Sequence, residues 1–115
     1  MWICLSDSFV SIVKKDCKPG ELLVRARRPG DIEKVFGSNV KVTRSTDSDY
    51  LYRATIKIED VELALKRAVE DVSYNNFKSS VKDRALHVAY MKVWANMAEL
   101  QNPRPYSTPF TARNR

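Results

Sequence analysis

Apolar positions alternate with polar ones through residues 1–58 and then recur at helical spacing, so the chain divides into a strand-forming half and a helix-forming half. Residues 2–5 are a short apolar run closed by the turn-forming Ser6-Asp7-Ser8. Residues 9–13 (Phe-Val-Ser-Ile-Val) are the aromatic and β-branched types that suit a pleated, half-buried surface. In Lys18-Pro19-Gly20-Glu21, proline presets the first central position and glycine is free to take a positive φ at the second, which is type II turn chemistry. Residues 22–27 follow as a third strand, alternating in their second half between apolar and basic side chains. These three segments are expected to form a meander.

Pro29-Gly30-Asp31 ends the third strand and opens a short helix, with Asp31 expected to cap free backbone N–H groups, Ile32, Val35 and Phe36 at helical spacing, and Gly37 closing it. Residues 40–44 and 50–58 read as two further strands joined by the polar stretch Ser45-Thr46-Asp47-Ser48-Asp49. In the second, Tyr50, Tyr52, Ala54, Ile56 and Ile58 are expected on the core side, with Leu51, Arg53, Thr55 and Lys57 opposite. Glu59-Asp60 places acid at the positive end of a long helix whose stripe is Val61, Ala64, Leu65, Ala68, Val69 and Val72, with Glu62 and Lys66 paired outside it. After the turn Ser73-Tyr74-Asn75-Asn76 and a short segment at 77–81, Asp83 is expected to cap a last helix. Its apolar face is Leu86, Ala89, Tyr90, Val93, Trp94, Met97 and Leu100. Pro103, Pro105 and Pro109 forbid regular structure beyond it.

The expected fold is therefore α+β: an antiparallel sheet of about five strands packed on helices, as a ferredoxin-like (split βαβ) variant with an added C-terminal helix. Residues 1–101 are expected to form a single domain and residues 102–115 an extended tail. Composition narrows the function classes. No apolar run approaches the roughly 20 residues that span a bilayer, and the opening residues lack the basic start of a signal peptide. The expected setting is cytoplasmic, with Cys4 a reduced, buried small hydrophobe and Cys17 a reduced thiol in a turn. One histidine excludes a multi-histidine metal site, and three glycines leave no room for a glycine-rich phosphate loop. No cofactor, metal, small-molecule substrate or membrane contact is expected. His87 has Asp83 one turn before it but no nucleophile at helical spacing, so it reads as a packing residue and the chain as a non-enzyme.

The stretches MWICLSDSFVSIV, LLVRARRPGDIEKVF and YNNFKSSVKDRALHVAYMKVW resemble a group of small uncharacterised bacterial proteins found in scattered genomes and on mobile elements. The resemblance implies a bacterial, cytoplasmic setting and brings no activity, cofactor or site residue.

Candidate binding residues come instead from charge. The chain carries 20 Lys and Arg against 14 Asp and Glu, a formal net charge of +6. Three of the arginines lie in the acid-free last 14 residues, which leaves 17 basic against 14 acidic residues in the rest. The excess in the domain is thus small, and its placement matters more than its size. Arg25, Arg27, Lys41, Arg53 and Lys57 alternate with apolar residues on their strands and are expected on the uncovered sheet face, Thr43 and Thr55 between them. Such a face suits an acidic partner, either a nucleic-acid backbone or an acidic protein surface, although the same alternation belongs to any solvated sheet face. Tyr50 and Tyr52 on that face would make a base-stacking platform, but their continuity with Ala54 and Ile56 assigns them to the core. The alternative interface is the last helix and tail, through Tyr90, Trp94, Tyr106 and Phe110, in the manner of a mobile-element inhibitor or adaptor.

Overall fold

A computed structural model describes residues 1–106. The elements are β1 (Trp2–Cys4), β2 (Phe9–Val13), β3 (Glu21–Ala26), α1 (Asp31–Phe36), β4 (Thr43–Arg44), β5 (Tyr52–Lys57), α2 (Ile58–Glu70), α3 (Phe77–Ser80) and α4 (Arg84–Ala98). The strands form one open antiparallel sheet in the order β1-β2-β3-β5-β4. The meander is as expected. Its second turn closes with Glu21 N–H donating to Lys18 O at 3.0 Å, and Gly20 takes φ 83°, a left-handed value that glycine adopts without strain.

Directly paired residues share a face, so the register sorts the sheet into two surfaces. One carries Ile12, Val24 and Ala54 in a row, with Leu22 beside Ile56 and Ala26 beside Tyr52. Ile32 of α1 and Val61 of α2 close on this face to make the main core. The other carries the row Trp2, Ser11, Arg25, Arg53 and Thr43, which crosses all five strands. Phe9 lies on this second face by alternation along β2, and there it packs with Val81, Leu86, Tyr90 and Phe77 in a smaller core formed with α3 and α4.

Several expected boundaries shift. Asp31 does not cap its own helix: Gly30 is the cap residue and makes no side-chain cap bond. The Asp31 carboxylate is 1% exposed and turns inward, where Oδ2 accepts the Phe9 N–H at 3.1 Å and Oδ1 lies 3.5 Å from Arg28 and 3.9 Å from Lys34. A strand of residues 40–44 shrinks to Thr43–Arg44, because Val40 and Val42 pack against the core instead of extending the ladder. Along α2 the stripe is buried only at its start: Val61 and Ala64 are covered, whereas Val69 and Val72 are exposed beyond the sheet. Its ion pair is Lys66 with Glu70 at 3.6 Å, not Glu62 with Lys66. Cys4 is exposed on an edge strand rather than buried.

Asp83 caps α4 as expected, Oδ1 accepting the Leu86 N–H at 3.0 Å, and its Oδ2 meets Arg28 at 3.0 Å. Tyr90 Oη lies 3.0 Å from Leu5 O and 2.8 Å from Ser8 O, so its single proton ties α4 to the β1–β2 turn, and burial pushes its phenol well above the usual range. Beyond Tyr90 the helix is uncovered. Trp94, Met97 and Leu100 are 37%, 59% and 80% exposed, so the apolar face expected for this helix is buried only in its first half.

Two stability predictions follow from these contacts. Asp31→Ala removes the acceptor of the Phe9 N–H and one of the two carboxylates facing Arg28, and urea unfolding is expected to show a loss of about 2–3 kcal/mol. The Leu86 N–H and then Arg28 hold the Asp83 carboxyl below its ordinary value. Its contribution is therefore complete above the unfolded-state value of about 4 and is lost as pH falls through the lower folded value. Asp83→Asn should lower the melting temperature at neutral pH, and the gap from the native protein should close below about pH 4.

Candidate functional site

The five basic residues singled out on the strands separate into two groups. Arg25 and Arg27 both lie over the Tyr50 ring, 4.4 and 4.1 Å from its centroid. Arg25 also donates to Ser11 Oγ at 2.8 Å and lies 3.9 Å from Asp49, and Arg27 donates to Asp49 O at 3.0 Å. Tyr50 is 4% exposed beneath them. It sits outside β5, so it leaves the alternation that would have put it with Tyr52 in the main core, and it joins the arginine face instead. A cation resting on an aromatic ring is stabilised when both are shielded from water. This group holds the 45–51 connection to the sheet, and its covered ring offers no stacking surface for bases.

The second group is open. Arg53 lies directly across from Arg25 but forms no ion pair among the described residues, and it shares a 290 Å³ hollow with Lys41, Thr43, Thr55 and Asp16. Lys41 and Thr55 continue from there into a larger cleft of 640 Å³, lined also by Lys57, between the outer edge of β5, the end of α1 and the exposed side of α2. Phe36, Ile56 and Leu63 contribute its apolar lining, and Lys34 and Arg67 join Lys41 and Lys57 as its cations. Glu21 and Asp60 are its acids; Glu21 Oε1 already accepts the Lys18 N–H at 3.1 Å. Among the described residues, Lys41, Lys57 and Arg67 form no ion pair.

The backbone of this cleft is open as well. Ser45 N–H donates to Leu51 O on the β4 side, and Ile58 N–H donates to Gly20 O on the β3 side. Backbone groups alternate in direction along an antiparallel strand. Hence Leu51, Arg53, Thr55 and Lys57 address the β4 side, but β4 ends opposite Arg53, leaving Thr55 and Lys57 without a ladder partner there. Lys34, Arg67 and this bare edge escaped the sequence reading. The two cations sit on helices as ordinary solvated residues, and the one available signal was the turn-forming Gly37-Ser38-Asn39, which diverts the chain before it can extend β4.

The alternative interface residues are also placed. Tyr90 is a buried anchor. Trp94 has Lys78 Nζ 4.5 Å from its ring centroid and Tyr106 6.1 Å away, and with Phe77, Val93 and Met97 it lines a 530 Å³ groove that reaches Cys4. Phe110 lies outside the described residues. His87 Nδ1 is 3.0 Å from Lys78 O, and Asp83 beside it is engaged with Leu86 and Arg28. Among the described residues there is no group of three or more His, Cys, Asp or Glu able to hold a metal ion, and no helix long and apolar enough to cross a membrane. The chain matches no family model, no curated protein and no solved structure.

The two basic groups should separate on stability. Tyr50→Ala removes the ring beneath Arg25 and Arg27 and is expected to cost about 3 kcal/mol in urea unfolding. Lys41→Ala and Lys57→Ala should each stay within about 0.5 kcal/mol of the native protein.

Proposed function

We propose that this chain is a non-enzymatic binding protein of the bacterial cytoplasm that grips an acidic partner through the basic margin of β5. The observation that carries this reading is the concentration of Lys34, Lys41, Lys57 and Arg67 around one cleft next to Arg53; among the described residues, Lys41, Lys57, Arg67 and Arg53 form no ion pair. Clustered cations raise the local potential, speed the encounter with a polyanion and neutralise its carboxylates or phosphates. Arg25 and Arg27 support the strand ends and are not contacts in this account. We also read the path β3–α1–β4–β5 as the split βαβ unit of a ferredoxin-like sandwich. In that reading β2 fills the sheet position that a strand after α2 would otherwise take.

A second reading, an inhibitor or adaptor acting through α4, is favoured by the exposure of Trp94 and Met97 along one groove. One experiment separates the two. Fluorescence anisotropy with a labelled oligoglutamate should show binding that weakens steeply as salt rises from about 50 to about 300 mM. The triple variant Lys41→Glu, Lys57→Glu, Arg67→Glu should weaken it by at least about tenfold, since each reversal replaces an attraction by a repulsion. Loss of a pulled-down partner with Trp94→Ala, and none with the triple reversal, contradicts the first reading and supports the second.

A further inference from the structure

We infer that the partner enters this cleft as an extended segment of an acidic protein and adds a strand to the bare edge of β5. This rests on the proposed basic cleft and specifies how it is used. Three features of the cleft converge on that ligand. Thr55 presents its backbone N–H and C=O, and Lys57 its N–H, on the side where β4 has stopped, so an incoming backbone finds donors and an acceptor already aligned, while the Lys57 C=O serves the start of α2. Phe36 and Leu63 line the same space, Leu63 with 43% of its surface exposed, which suits an apolar side chain of the incoming segment. Cations stand around it: Lys34, Lys41, Lys57 and Arg67 against Glu21 and Asp60. A strand alternates its side chains, so a segment with acidic residues on one face and apolar ones on the other satisfies all three at once.

A nucleic-acid strand fits less well. Single-stranded bases require exposed aromatic rings to stack on. The ring of Tyr50 is covered by two arginines, and Phe36 is partly buried against the core. A phosphate backbone would also leave the unpaired backbone groups of β5 unused.

The probe is a labelled peptide, Glu-Ile-Glu-Val-Glu-Leu-Glu, tested against the native chain and the Lys41→Glu, Lys57→Glu variant by anisotropy. Two further peptides carry N-methyl groups on alternate amides, one set for each edge of the strand, and a single-stranded oligonucleotide of equal charge is the control. Because only ligand chemistry changes between the peptides, folding of the protein is not in question. The expected result is at least about tenfold weaker binding for one of the two N-methylated sets, about tenfold being the loss of roughly one or two net hydrogen bonds. The oligonucleotide should bind more weakly than the parent peptide. If the parent peptide binds and the charge reversal weakens it, but neither N-methylated set does, strand addition is wrong while the basic cleft stands. If the oligonucleotide binds at least as tightly, the choice of a protein segment is wrong. If no probe responds to the charge reversal, the basic cleft itself is wrong.

Discussion

The buried carboxylate of Asp31 is the constraint around which the packing is arranged. A carboxylate taken from water is costly unless it is paired and hydrogen-bonded, and Asp31 answers that cost with the Phe9 N–H at the start of β2 and with Arg28 at 3.5 Å. Arg28 passes the connection to Asp83, which caps α4. One relay thereby joins β2, the entry to α1 and the entry to α4, three elements far apart in the chain. It links the helix layer on one face of the sheet to the smaller core on the other. α1 ends at Gly37, which lines the cleft beside β5.

Local chemistry in this chain was legible before the fold was seen. The Pro19-Gly20 turn, the Asp83 cap and the alternation of Tyr52, Ala54 and Ile56 each depend on residues within a few positions of one another, and each stands as expected. The α+β class and the open antiparallel sheet followed from the same patterns. What could not be read depends on distant partners. Asp31 looks like any cap residue until Phe9 and Arg28 are brought to it. Tyr50 looks like a core strand residue until two arginines cover it. The apolar stripe of α4 looks uniform, yet only its first half meets Phe9, Phe77 and Val81, so Leu86 is covered and Met97 is not.

Charge shows the same limit more sharply. Arg25 and Lys57 occupy equivalent alternating positions in sequence, and pattern alone treats them alike. Arg25 is held by Ser11, Asp49 and Tyr50, whereas Lys57 has Glu21 as its cross-strand neighbour and forms no ion pair among the described residues. The domain's cations therefore divide between those that hold the structure, such as Arg25 and Arg28, and those that face solvent, a group of which lines one margin of the sheet. Of the exposed cations, Lys41, Lys57 and Arg67 border the stretch of β5 whose backbone the short β4 leaves uncovered.

Amide hydrogen exchange read by NMR tests that account most directly. In the free chain, Thr55 and Lys57 amides should exchange much faster than those of Ala54 and Ile56, which face β3 in the ladder. With the acidic peptide at saturation, protection should appear at Thr55 and Lys57 while Ala54 and Ile56 stay as they were. Peptide binding that leaves Thr55 and Lys57 as unprotected as in the free chain would contradict it.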